Sequence, residues 1–158
     1  MIEVDAVVSD ARWATLGDPE ALARRAVEAA LAVTEEANAH HVEVSVAFAD
    51  DGAIQALNRD WRAKDQPTNV LAFPAPLLSA PGLRFLGDVV LAYETIGREA
   101  CAEGKSLADH ALHLVVHGTL HLLGYHHDTD EDAAVMEAAE VRALAALGVA
   151  NPYRDLAA

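Results

Sequence analysis

The stretch Val42-Glu43-Val44-Ser45-Val46-Ala47-Phe48-Ala49-Asp50-Asp51-Gly52 changes its period part-way along. Val42, Val44, Val46 and Phe48 alternate with Glu43, Ser45 and Ala47, the period-two pattern of a strand buried on one face. Asp50-Asp51-Gly52 then offers a turn and a helix cap, and Ile54, Leu57 and Trp61 continue at helical spacing. The chain therefore reads as a mixed α+β protein, and its neighbours on both sides agree.

Upstream, Ile2–Val8 is a short first strand. Asp18-Pro19-Glu20 is a helix start: a capping Asp, Pro at the first helical position, and an acid at the positive end of the dipole. Leu22, Ala26, Ala29, Ala30 and Val33 carry that helix to about Asn38. Downstream, Pro67 closes the connection after the second helix, and Asn69–Phe73 is a strand bounded by Pro74 and Pro76. Residues 74–84 form a loop, Phe85–Leu91 another strand, and Ala92–Glu103 a third helix closed by Gly104. Ser106-x-x-Asp109 is a capping box that opens a fourth helix, continued by Leu112, Val115, Val116 and Leu120 to Gly124. A last helix spans about Glu131–Leu147, with Gly148 as its stop and Pro152 beyond. The expectation is a single α+β domain over residues 1–158, with a small four-stranded sheet and about five helices.

Composition excludes several classes. The chain has 158 residues, 25 Asp+Glu against 11 Lys+Arg, and a formal net charge of −14. Hydrophobic residues at 53% are too many for a disordered acidic tail. A single cysteine, Cys101, allows no internal disulfide and no Cys-rich zinc site, which fits a reducing cytoplasm. Met1-Ile2-Glu3-Val4-Asp5 does not read as a signal peptide, and no run is apolar enough over about 20 residues to span a bilayer. Such acidity argues against broad electrostatic binding to DNA, RNA or anionic lipid. The charge is uneven, however. Residues 1–56 carry 11 acids and 3 bases and residues 106–158 carry 8 and 2, whereas residues 57–105 carry 6 of each and are neutral.

Eight histidines are present, six of them between His110 and His127. His117 and His121 stand four apart on the fourth helix and so share a face. Gly124 ends that helix and lets the chain turn back, bringing Tyr125-His126-His127 towards the same face. His117, His121 and His127 thus form H-x3-H-x5-H with a glycine three residues after the second histidine. That is the ligand spacing of the metzincin pattern. Three imidazoles suit one Zn²⁺ per chain and leave a fourth position open. His110 and His113 lie on the same stripe without a turning glycine and read as packing or supporting residues. The Glu that serves zinc peptidases as general base is Gly118 here, so peptide hydrolysis by that route lacks its base.

These residues carry a family resemblance. His117-Gly-Thr-Leu-His121-Leu-Leu-Gly124-Tyr-His-His127 resembles the H-G-x-L-H-L-x-G-Y-D-H signature of the YbeY family of bacterial endoribonucleases. Leu57-Asn58-x-x-Trp61-Arg62-x-Lys64-Asp65-x-Pro67-Thr68-Asn69-Val70-Leu71-x-Phe73-Pro74 is similar to that family's L-N-x-x-[YW]-R-x-K-D-x-P-T-[DN]-V-L-S-F-P. Leu86-Gly87-Asp88-Val89 and the ending Leu147-Gly148 with Pro152-Tyr153 also resemble it. The blocks run in family order from about residue 42 to the C-terminus. One departure puts His126 where the family has Asp. Two histidines are then adjacent at the third ligand position; spacing favours His127, His126 stays open, and Asp128 is a candidate carboxylate partner.

The resemblance implies a mixed sheet packed with helices around a metal-holding cleft. It also implies zinc-dependent cleavage of single-stranded RNA, maturation of the 16S rRNA 3′ end, ribosome quality control and a cytoplasmic location. The expected partners are an rRNA precursor and the ribosome or a ribosomal protein, without DNA or membrane. His117 and His121 would be catalytic as well as metal-binding. Arg62 matches the family's functional arginine. Its charge alone would read as a surface ion pair with Asp60 or Asp65. Lys64 is a weaker candidate for attracting the RNA backbone, Asp88 a candidate cleft carboxylate or structural acid, and Tyr125 a packing residue beneath the metal. Two other functions use the same residues: a zinc hydrolase of another substrate, and a zinc-binding ribosome-associated factor without catalysis.

Overall fold

The computed structural model describes residues 2–34, 41–75 and 83–153. Strands β1 (Ile2–Val8), β2 (His41–Ala49), β3 (Val70–Pro74) and β4 (Leu83–Ala92) form one mixed sheet in the order β1-β2-β4-β3. β1 and β4 each run parallel to β2, and β3 runs antiparallel to β4 as an edge strand. Five α-helices join them: α1 (Pro19–Ala32), α2 (Asp51–Arg62), α3 (Tyr93–Glu103), α4 (Leu107–Leu122) and α5 (Asp130–Ala146). The small four-stranded α+β architecture expected from the sequence is the one observed.

The helix starts follow from local chemistry. Asp18, Asp50 and Ser106 accept the backbone N–H of Ala21, Ala53 and Asp109 at 3.1, 2.8 and 3.0 Å. Thr129 does the same for Asp132 and begins α5 one residue before the expected Glu131. α1 stops at Ala32, short of the expected Asn38. Thr34 turns its hydroxyl and its N–H onto the Leu31 carbonyl, at 2.9 and 3.1 Å, and thereby closes the last turn. Residues 35–38 of the expected helix, and most of the expected 74–84 loop, lie outside the described residues. A 3-10 helix, Ala11–Leu16, was not foreseen. It inserts the fully buried Trp13, whose indole N–H donates to the Ala49 carbonyl at 2.8 Å and whose ring meets Phe48 and Tyr93 edge-on.

One face of the sheet presents Val42, Val44, Val46, Phe48, Leu86, Val89 and Leu91 to the main core, which α1, α4 and α5 complete. The other face is covered only in part. There Ala49, Leu71, Val90 and Ala92 pack with Ile54 of α2 in a smaller core. The alternation in β2 is thus a true half-burial.

The register between β2 and β4 shifts at Glu43/Val44, with Phe85 opposite Glu43 and Gly87 opposite Val44, so Leu86 is an extra residue. Gly87 has φ of 136°, and a Cβ there would lie 2.2 Å from the Phe73 carbonyl oxygen and 2.9 Å from the Ala75 nitrogen. Both are backbone atoms and cannot yield. Gly87→Ala is expected to destabilise the protein by roughly 3 kcal/mol or more, from overlap added to backbone strain. Urea unfolding of the variant beside wild type measures this.

Candidate metal centre and its cleft

α4 is apolar on almost every side and runs through the core, burying Leu112, Leu114, Val115, Val116, Leu120 and Leu122. His117 and His121 lie on its partly open face. The helix ends in a reversal at Gly124, φ 98°, where the Tyr125 N–H reaches the Leu120 carbonyl at 3.0 Å and the Gly124 N–H reaches that of His121 at 3.0 Å. This returns the chain so that the His127 ring comes within 5.9 Å of His117 and 5.1 Å of His121, centroid to centroid. One ring nitrogen from each of the three histidines then lies within 4.8 Å of the others. His126, left open by spacing, is directed elsewhere: its Nδ1 is 3.1 Å from Asp132 and 3.4 Å from Asp128.

The ring nitrogens are oriented for a cation. His121 Nδ1–H donates to the Tyr125 carbonyl at 3.0 Å, and His117 Nδ1 meets Glu140 Oε1 at 2.6 Å. With Nδ1 the donor in each neutral ring, both Nε2 atoms carry lone pairs. Those two atoms face each other at 3.0 Å. Two bonds of 2.0–2.1 Å at a tetrahedral centre would set such nitrogens about 3.3 Å apart. The arrangement fits a metal ion, and among the described residues these three histidines can hold one. Burial, then the neighbouring His117 and His127, hold the His121 pKa down at about 4, so this ring is neutral and free to coordinate at neutral pH.

Behind His117 stands a residue that the sequence reading missed. Glu140 of α5 is 1% exposed and bridges His117 through Oε1 and His113 through Oε2, the latter at 2.9 Å. The Tyr153 hydroxyl donates to the same Oε2. Burial would raise this carboxyl, but its bonds with His113, His117 and Tyr153 outweigh that and hold it at about 2. Tyr153 is pushed up, first by burial and then by Glu140, and stays a proton donor. One signal was present in the sequence: Met136, Ala139, Glu140, Ala143 and Leu144 form a buried helical stripe, and Glu140 is its one charged member. Asp128, a candidate carboxylate partner, is exposed and lies 3.4 Å from His126 Nδ1. His110, read as a packing or supporting residue, meets Glu99 through Nε2 at 2.8 Å, while its buried Nδ1 has no hydrogen-bond partner among the described residues.

The three histidines open into a cleft of about 720 Å³ that runs along β3. Trp61 and Arg62 at the end of α2, Thr68, Asn69, Phe73 and Tyr125 also line it. Arg62 makes no ion pair among the described residues. Its rival partners are otherwise engaged, Asp60 by Arg59 at 3.1 Å and Asp65 by Gln55 at 3.0 Å. Lys64 is exposed and does not line the cleft. Asp88 is away from it, in a separate acidic depression with Glu3, Asp5 and Glu43 on the other face of the sheet. Tyr125 packs against the core as expected.

Residues 11–148 match the family described as Endoribonuclease YbeY. The chain belongs to the YbeY endoribonuclease family. The family's curated members include a protein of Azorhizobium caulinodans that is 48% identical over 153 residues, 96% of each chain. A Sphingopyxis alaskensis member is 52% identical over 92% of this chain and 94% of its own, and one from Paramagnetospirillum magneticum is 58% identical over 72% and 73%. Each is named Endoribonuclease YbeY. The solution structure of TM1509 from Thermotoga maritima has the same fold, with a TM-score of 0.55 at 21% identity, covering 98% of this chain and all of that one.

Two outcomes follow from this geometry. Glu140→Gln keeps the side-chain shape but removes the charge behind His117. If the three histidines hold a metal, affinity for it, probed with added Zn²⁺ by chelator competition, is expected to fall about 10- to 100-fold, while the far-UV dichroism is kept. The second concerns pH. Unfolded, His121 takes up a proton near its ordinary value of 6.5; folded, it does so only near 4. The unfolded state therefore binds more protons in that window, and metal-free protein loses stability as pH falls through it. The unfolding midpoint should drop from pH 6.5 to pH 4.5, and drop less in His121→Gln.

Proposed function

We propose that this chain is a zinc-dependent endoribonuclease acting on single-stranded RNA, with its site carried by one domain over residues 1–158. One observation above all supports this: the guanidinium of Arg62, without an ion pair among the described residues, shares a cleft with three converging imidazoles. His117, His121 and His127 would hold one Zn²⁺, since three neutral nitrogen donors suit that ion and leave a position free. When bound, the ion would supply Lewis acidity to a phosphoryl oxygen and charge for the developing anion.

The chain's own residues do the rest. Glu140 and the Tyr125 carbonyl hold the His117 and His121 rings with Nε2 turned into the cleft. Arg62 offers two parallel N–H donors to the non-bridging oxygens of a phosphodiester and stabilises charge that builds there. Gly118 supplies no proton acceptor, and Asp128 is the one carboxylate among the cleft residues. Peptide hydrolysis of the metzincin kind is disfavoured on that account.

Family membership extends the proposal to maturation of the 16S rRNA 3′ end and ribosome quality control in the cytoplasm. The acidic surface outside the cleft suits a basic ribosomal protein as partner better than a long RNA groove. No helix among the described residues is long and apolar enough to cross a membrane.

A defined rRNA precursor, metal analysis and two variants test this. His121→Ala is expected to lose both zinc and cleavage. Arg62→Ala is expected to keep zinc and lose about 10²- to 10³-fold in kcat. Full cleavage by zinc-free His121→Ala protein would refute the assignment.

A further inference from the structure

The two tryptophans of this chain lie in opposite environments. Trp13 has no exposed surface. Trp61 is 72% exposed, more than any other large hydrophobic side chain among the described residues. Leaving an indole in water forgoes the burial that stabilises other aromatics, and the core does not require Trp61. Its ring touches Phe73 of the edge strand at 6.3 Å, inclined by 63°. Both rings line the cleft that holds Arg62 and the three histidines.

The ring stands on a fixed support. α2 ends at Arg62, and Ala63 then adopts φ 57°, a left-handed conformation uncommon for alanine. The Ala63 N–H returns to the Arg59 carbonyl and the Lys64 N–H to that of Asn58, each at 3.2 Å. Buried Asn58 clamps the next turn by donating to the Gln66 carbonyl at 2.9 Å. Trp61 and Arg62 are consecutive on this anchored end, and both line the cleft, so an aromatic face and a guanidinium are presented there together.

We propose that Trp61, backed by Phe73, is a stacking subsite for an unpaired nucleobase adjacent to the phosphate that Arg62 engages. The inference rests on RNA being the substrate of this cleft. An unpaired base offers its π-face to an aromatic ring, and such stacking contributes about 1–3 kcal/mol per base without regard to sequence. A base inside a duplex is already stacked on both sides and offers no free face. The subsite therefore gives this cleft a physical means of choosing single strands. It also answers the charge problem, because a chain of net charge −14 has little phosphate attraction to rely on.

The test uses the zinc-loaded full chain and a short single-stranded RNA containing one cleavage site. On rapid mixing, tryptophan fluorescence is expected to be quenched in wild type and not in Trp61→Phe, whose remaining Trp13 is buried. Trp61→Ala is expected to raise KM about tenfold, more than it lowers kcat, and Trp61→Phe to recover most of the loss. An abasic nucleotide beside the scissile phosphate should raise the wild-type KM similarly and have little further effect in Trp61→Ala. If wild type cleaves this RNA and Trp61→Ala has the same KM, the subsite is overturned and the RNA reading stands. If Trp61→Ala is impaired only on ribosomal particles and not on the free strand, the ring docks protein and the subsite is again overturned. If wild type neither binds nor cleaves the strand, the RNA reading fails and the subsite with it.

Discussion

The approach of α4 to the sheet at Gly118 governs the rest of this structure. A Cβ at that position would lie 2.8 Å from Val89 Cγ1 and 3.5 Å from Val70 Cγ2. The helix can rest on β3 and β4 at this depth because the position has no side chain. His117 is the preceding residue and His121 follows by less than one turn. The height of both rings over edge strand β3, and so the width of the cleft, is set by this contact. The position is also the one that carries a general base in metzincin peptidases. A glutamate there would have to displace Val89, so packing and chemistry are decided by the same residue.

The second constraint is charge. Taking a carboxylate out of water is expensive unless its oxygens are fully engaged. Glu140 meets that condition with His113, His117 and Tyr153. It is the one fully buried acid among the described residues. Asp128, Asp130 and Glu131, by contrast, stay in solvent. The protein's net charge is therefore a property of its surface. The cleft itself is lined by one arginine, four imidazoles and one carboxylate. The charge of −14 disfavours nucleic acid at the outer surface, whereas the cleft lining carries no such excess of acid.

What could be read in advance was what is local in the chain. The alternation of β2, the caps Asp18, Asp50 and Ser106, and the spacing of His117, His121, Gly124 and His127 each span a dozen residues or fewer, and each appears in the structure as read. What was missed depends on how distant elements are rotated against one another. Glu140 reaches His113 across 27 positions and only because α5 turns that stripe towards α4. Asp88 was a candidate for the cleft until the extra residue in β4 fixed the phase of the strand. With Leu86 and Val89 both facing the core, Asp88 faces the opposite side. The surroundings of His126 likewise depend on a distant element, since Asp132 on α5 lies 3.1 Å from its Nδ1.

Surface and cleft together favour a flexible strand over a rigid one. A duplex binds a protein chiefly through many phosphates, each needing a cation, and this chain has 11 cationic side chains against 25 acids. Several of those cations are already committed: Arg12 to Asp10 and Glu94, Arg59 to Asp60, Arg98 to Asp51. What remains in the cleft is one guanidinium without an ion pair among the described residues, the proposed ion, and an exposed aromatic ring. That set can hold one phosphate and one base, but it cannot track a helical backbone. On this reading the acidic surface works as a filter. It would repel nucleic acid wherever the strand cannot bend a single nucleotide into the cleft, and the proposed preference for unpaired RNA would follow from what the surface withholds as much as from what the cleft offers.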